Sequence, residues 1–157
     1  TNSMTGIAHA LTLRILDAYL GGKERDWSSE FLPREKRGRR RKIEIQEALV
    51  RGRVKGTKPS LGLAAYGGTY GGPLYGDASI KLEEGSLVLR LAPAPGLVAD
   101  LEHLHYDTFL LTWRKKFPWF GRGTCRFLVD KSGRVEEFKL DVPNDDFWFT
   151  ELEFRRR

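Results

Sequence analysis

The sequence predicts a mainly β protein: an eight-stranded antiparallel up-and-down barrel preceded by two N-terminal helices. Three observations carry this. Apolar residues recur at helical spacing before Pro59 and at two-residue spacing after it. The alternating stretches are short and end in turn-forming residues, as at Glu84-Gly85 and Asp130-Lys131-Ser132-Gly133. Eight such stretches follow one another in about 90 residues, enough to close into a barrel and remove exposed edges. An open sandwich of the same strands is the physical alternative.

In the first helix Ile7, Leu11, Ile15 and Ala18 form a stripe, widened by Ala8, Leu16 and Leu20. Gly21-Gly22 stops it, because glycine enters the left-handed conformation that closes a helix at little steric cost. Asp26-Trp27-Ser28 offers capping chemistry for a second helix, expected to run to about Val54. Gly38 weakens its middle by about 1 kcal/mol relative to alanine. Gly56-Thr57-Lys58-Pro59 ends it and marks a domain boundary. The strands are expected near residues 66–71, 75–83, 86–92, 97–105, 108–114, 123–130, 134–142 and 147–155. Ile80, Leu89, Phe109, Trp113, Phe127, Phe138 and Leu140 fall on their apolar faces and are expected to point inward.

The formal net charge is +6 in 157 residues, and it is unevenly spread. Residues 33–58 hold 11 Lys/Arg and 3 Asp/Glu, a net +8, while the segments before and after are each −1. The basic character therefore belongs to one segment and not to the barrel. Hydrophobic residues make up 40% and charged residues 31%, which excludes a disordered chain. No apolar run approaches the ~20 residues of a membrane span. The first 22 residues lack the basic start of a signal peptide, and the compartment stays open. The single cysteine, Cys125, excludes an internal disulfide.

Serine-hydrolase chemistry of the penicillin-recognising kind needs a Ser-x-x-Lys pair, because nucleophile and base must touch. The residues three places after the seven serines are Gly6, Phe31, Leu32, Leu63, Leu82, Leu89 and Val135, none of them lysine. No catalytic residue is assigned. The candidate rim or binding cluster is His103, His105, Tyr106 and Asp107. On a regular strand the two histidines share a face, and Asp107 joins them if the strand continues. Such a set can ligate a metal or move a proton. It can equally hydrogen-bond at a barrel rim with Asp107 in a turn, and no metal and no cofactor are expected.

A second candidate is the loop around Phe117, Trp119 and Phe120, which lies beside Lys115 and Lys116. Exposed, it is a docking surface; folded back, it plugs the barrel mouth. The third is the run REKRGRRRK at 34–42, including Arg37, Arg39, Arg40, Arg41 and Lys42. It reads as a phosphate-binding patch or as a solvated helix face. Aromatics for base stacking are missing from residues 32–65, so no specific nucleic-acid partner is expected. The glycines of YGGTYGGPLYG allow close backbone approach but form no phosphate loop, since no Gly-Lys-Ser/Thr follows.

Tyr66-Gly67-Gly68-Thr69-Tyr70, Tyr75-Gly76, Leu87-Val88-Leu89, the segment Leu101 to Phe109, and Phe127 through Leu140 together resemble the C-terminal lipocalin-like domain of serine hydrolases related to penicillin-binding proteins and beta-lactamases. The His103/His105-Tyr106-Asp107-Thr108-Phe109 segment is the most specific part of the likeness. Leu104 departs from it, standing where the family has tryptophan. Residues 1–22 resemble the last strand end and final helix of the catalytic domain that precedes such a barrel, and Asp26-Trp27 resembles the start of the charged linker.

The resemblance implies three parts: residues 1–22 as the terminal helix of an upstream catalytic domain, 23–59 as a charged helical linker, and 60–157 as the barrel. It implies a non-catalytic accessory domain with a structural, oligomerisation or substrate-gating role in a D-amino-acid-directed, self-compartmentalising type of peptidase. The expected partners are the chain's own upstream catalytic domain and further copies of itself. A barrel holding a small apolar ligand and a basic adaptor for nucleic acid or anionic surfaces are the alternatives. With the catalytic domain missing, Ile7, Leu11 and Ile15 are expected to be covered by the linker, the barrel or a second copy.

Overall fold

The computed structural model describes residues 6–72, 75–144 and 147–157. Residue 5, the start of the expected first helix, and Pro73-Leu74 of the glycine-rich run lie outside the described residues. The chain divides into two compact units, one up to residue 45 and one from residue 46 onward.

The first unit holds helix α1 (Ile7–Leu20) and most of helix α2 (Trp27–Arg51). Gly21 closes α1 at φ 67°, and the N–H of Gly22 donates to the Asp17 carbonyl. Asp26 caps α2 as its spacing implies: Oδ1 accepts from the Ser29 N–H at 3.0 Å and Oδ2 from the Ser29 hydroxyl at 2.6 Å. Pro33 lies inside α2, in its second turn, and cannot make the hydrogen bond a backbone N–H there would give to the Ser29 carbonyl. The two helices meet through Trp27, Phe31 and Glu35 on α2. Trp27 Nε1 donates to Asp17 at 2.6 Å, Phe31 lies 5.2 Å from the His9 ring, and Glu35 accepts from the Gly6 N–H.

Within one chain Ile7, Leu11 and Ile15 are 62%, 57% and 48% exposed, so α2 does not cover them. The face of α1 turned inward is instead Gly6, Ala10, Leu13 and Asp17, of which only Ala10 is fully buried. The reason is chemical. Asp17 and the Gly6 amide have hydrogen-bond partners on α2, and the aliphatic stripe has none, so the polar contacts set the helix rotation.

In the second unit eight antiparallel strands close into an up-and-down barrel: β1 (Gly68–Gly72), β2 (Gly76–Glu83), β3 (Ser86–Leu91), β4 (Val98–His105), β5 (Thr108–Trp113), β6 (Gly123–Val129), β7 (Val135–Asp141) and β8 (Phe154–Arg156). Closure is made by Tyr70↔Arg156 and Gly71↔Arg155 between β1 and β8. The first strand starts two residues later than expected, because Leu63–Tyr66 forms a 3-10 turn that brings Tyr66 under the barrel. The last strand is far shorter than the expected 147–155. Phe149–Glu151 is a 3-10 turn whose Phe149 packs inward, and only Phe154–Arg156 pairs.

The expected inward residues are all buried. Tyr66, Tyr70, Phe109, Phe127, Phe138 and Phe154 touch one another across the interior, with ring centroids 4.5–6.5 Å apart. Leu61 and Leu63 pack on this core before β1, and Phe117 and Phe120 pack on it from the β5–β6 loop. The barrel is filled by its own side chains. Gly72 and Gly123 permit this closeness. A Cβ on Gly72 would meet the Glu153 carbonyl at 2.6 Å, and one on Gly123 would run into the Asp141 carbonyl and lie 2.7 Å from a Val142 methyl.

Candidate functional site

The His103–Asp107 segment lies at the end of the barrel where β1 begins. In β4 the pairing runs Leu101↔Leu111 and His103↔Phe109, then slips to His105↔Thr108, leaving Leu104 as an extra residue. Phe109 and Thr108 are consecutive and so face opposite sides of β5. The histidines opposite them therefore also face opposite sides. The expectation that His103 and His105 share a face is corrected by this bulge. His103 joins the inner side, its ring 5.7 Å from Phe109, and Leu104 is buried. Among the described residues no group of three or more His, Cys, Asp or Glu is placed to hold a metal.

The hairpin tip is Tyr106-Asp107. Tyr106 takes φ 48°, an uncommon conformation for a bulky residue. Two bonds hold it there: His103 Nε2 lies 3.0 Å from the Tyr106 carbonyl oxygen, and the Tyr106 N–H donates to Thr57 Oγ1 at 3.3 Å. The turn throws the Asp107 side chain back onto the segment that enters the barrel. Asp107 Oδ1 accepts from the Tyr66 hydroxyl at 2.5 Å and from the Ser60 N–H at 2.9 Å. Oδ2 accepts from the Ser60 hydroxyl at 2.7 Å. The Leu61 N–H donates to Tyr66 Oη at 3.2 Å, and Thr57 Oγ1 also donates to the Val54 carbonyl at 3.0 Å.

The electrostatics agree with a fixed carboxylate. Partial burial raises the Asp107 pKa, but the bonds from Tyr66 and Ser60 outweigh it, so the group lies below the usual carboxylate range. Burial, aided by the bond to Asp107, pushes the Tyr66 phenol up to about 12. Tyr66 is thus a donor and Asp107 an acceptor at any ordinary pH. Ser60 gives its proton to the Asp107 carboxylate, and among the described residues no imidazole or amine is bonded to it. His103 Nε2 is engaged by a backbone carbonyl. This arrangement lacks the nucleophile–base contact that acyl transfer requires. What it does is fasten residues 57–66 to the β4–β5 hairpin.

The other candidates lie elsewhere. Phe117 and Phe120 fold over the mouth opposite, stacked at 5.0 Å and packed edge-on to Trp113 at 6.2 and 5.5 Å. Trp119 between them stays 45% exposed. Phe149 meets Phe120 at 5.2 Å. Gln46, near the end of α2, pairs with this loop as a strand would, accepting from the Arg122 N–H at 2.7 Å and donating to its carbonyl at 3.1 Å. Arg37, Arg39, Arg40, Arg41 and Lys42 are all exposed on α2.

Thr57, Ser60, Tyr66 and Gln46 were not singled out by sequence reasoning. Tyr66 was visible as the first aromatic of YGGTY. Ser60 and Gln46 carry no local signal, since their partners lie 47 and 76 residues away.

A family described as "Domain of unknown function (DUF3471)" matches residues 52–156. No curated protein matches the chain. Among solved structures the chain is similar to one described as the C-terminal domain of penicillin binding protein Rv0907. The identity is 26%, over 67% of this chain and 94% of that one, with a TM-score of 0.49.

Proposed function

The chain belongs to the DUF3471 family, and from that membership we propose that it is the non-catalytic C-terminal accessory barrel of a penicillin-binding-protein-like serine hydrolase. The observation that carries this reading is the use made of the LEHLHYDTF segment. Its carboxylate takes three hydrogen bonds from Ser60 and Tyr66, and its first histidine holds the turn that aims it. These groups are consumed in fixing the barrel to the segment that leads into it, as suits a domain that must be held at a set place. A packed aromatic interior supports the same reading over a ligand-holding barrel.

In this reading residues 1–22 close an upstream catalytic domain, 23–59 are the linker and 60–157 the barrel. The exposed stripe Ile7, Leu11 and Ile15 is then the surface that the catalytic domain covers. Leaving such side chains in water costs about 1.5–3 kcal/mol each. The role is structural, oligomeric or substrate-gating, and the partners are the upstream domain and other copies of the chain.

The purified chain is expected to turn over neither a chromogenic cephalosporin nor a D-amino-acid ester. Turnover abolished by replacing one of its serines would overturn the assignment. In the complete polypeptide, removing residues 60–157 should leave β-lactam acylation of the upstream domain intact. It should change either its assembly state or the size of peptide it accepts. Loss of acylation in a folded, truncated enzyme would mean that the barrel takes part in chemistry.

A further inference from the structure

Of the 27 Lys and Arg, six pair with a carboxylate among the described residues, and of those without such a pair seven stand together in one run. Arg14, Arg25, Arg90, Arg114, Lys139 and Arg157 each sit against a carboxylate. The run at 34–42 holds seven cations, and none of them has an ion-pair partner among the described residues. The difference comes from the sequence. Glu30, Glu44 and Glu47 flank the run and Glu35 lies within it, but none stands between Lys36 and Ile43. Like charges therefore face one another one turn apart, at Lys36–Arg39, Lys36–Arg40, Arg37–Arg40, Arg37–Arg41 and Arg39–Lys42, which opposes the helix that the chain nevertheless forms.

The stretch is also exposed along its length. α2 is held near its start by Trp27, Phe31 and Glu35 and near its end by Gln46. Every residue from 36 to 45 is exposed. At about 100° per residue the seven cations occupy the whole circumference and not one face. Six net charges over nine residues amount to one per roughly 2 Å of helix axis. Duplex DNA carries one per about 1.7 Å, of the opposite sign.

We propose that residues 34–42 form a binding rod for a flexible linear polyanion of the polyphosphate type, which winds about the helix and is read by charge alone. The circumferential spread decides against a flat anionic bilayer, which reaches only the cations on one side. The absence of aromatics from residues 32–65 decides against readout of bases. The polymer relieves the repulsion within the run, so binding and helix stability rise together. The proposal stands apart from the accessory-domain reading and survives or fails without it.

The test is binding of long-chain inorganic polyphosphate to the whole chain across a salt series. The expected log–log slope is about −5, from seven cations at about −0.7 each. A variant with Arg37→Gln, Arg39→Gln, Arg40→Gln, Arg41→Gln and Lys42→Gln retains two cations, and its slope should fall to about −1.5. Its affinity at low salt should fall at least roughly tenfold. Arg155→Gln with Arg157→Gln, at the other end of the chain, should leave the slope within one unit. Polyphosphate should raise far-ultraviolet helix signal in the wild type and not in the fivefold variant. Aromatic circular dichroism confirms that the barrel is folded in each. An unchanged slope in the fivefold variant overturns the proposal. So does tighter binding, per phosphate, to phosphatidylglycerol vesicles than to polyphosphate.

Discussion

The barrel and the helical segment before it solve the burial problem in opposite ways. Every buried apolar side chain among the described residues except Ala10 belongs to the barrel, and α2 buries none fully. The barrel carries its core within itself, with both ends stopped by its own aromatic and aliphatic side chains. The helices carry an aliphatic stripe and a cationic run that their own packing leaves in solvent. The barrel surrounds a packed core, while the helices leave an aliphatic stripe and a cationic run exposed. Within the unit that holds the barrel, the entering segment is tied by polar bonds among Asp107, Ser60, Tyr66 and Thr57, and Gln46 bonds the β5–β6 loop.

The most severe way to break the contrast is to empty the core. Phe138 is fully buried, stacked 4.5 Å from Phe154 and 5.0 Å edge-on to Tyr70. Phe138→Ala should lower barrel stability by about 3–5 kcal/mol, measured by urea unfolding followed through near-ultraviolet signal. Gly123→Ala comes next, at roughly 1–3 kcal/mol, because the added methyl collides with β7 backbone that cannot move without breaking the ladder. A neutral result there would mean that β6 and β7 are less closely apposed than described.

Asp107→Asn sharpens the comparison instead of breaking it. It should cost about 1–3 kcal/mol by mispairing Ser60 and Tyr66, and it should change the pH profile. The folded carboxylate has a lowered pKa. Its contribution is therefore fully present above the ordinary carboxylate pKa and is lost as pH falls through the lower value of the folded state. Denaturation curves collected downward through the acid range should show this loss in the wild type, and Asp107→Asn should lack that component. The smallest effect is expected on α1. Leu11→Ser, at a 57% exposed position, should shift the stability of this chain by no more than about 0.5 kcal/mol. A larger loss would mean that the stripe is covered in solution by another copy.

Most of the barrel was legible because alternation and turn residues are local signals. Ile80, Leu89, Phe109 and Phe138 announce an inward face by their spacing, and Glu84-Gly85 announces a tight hairpin. What escaped was set by distance or by competition. The short β8 follows from Phe149 turning inward as a 3-10 turn, a choice made by the aromatic stack of Trp113, Phe120 and Phe149 and not by its neighbours. The bulge at Leu104 hides inside a perfect-looking alternation and reverses the meaning of the two histidines. The rotation of α1 against α2 is fixed by the Asp17–Trp27 bond, which apolar spacing does not reveal. Asp107 is visible in the sequence as a candidate rim residue, but its partner Ser60 is 47 positions away, beyond any local pattern.

The LEHLHYDTF segment fastens the entering chain to the barrel through Asp107. Amide hydrogen exchange at Ser60 and Leu61 tests this directly. Both amides have donors engaged, to Asp107 Oδ1 and to Tyr66 Oη, in a segment with no regular ladder to protect it. In the wild type they should exchange far more slowly than the neighbouring exposed linker. In Asp107→Asn that protection should vanish while the amides of β5, β6 and β7 keep theirs. Free exchange at both positions in the wild type, or unchanged protection in the variant, would contradict the account.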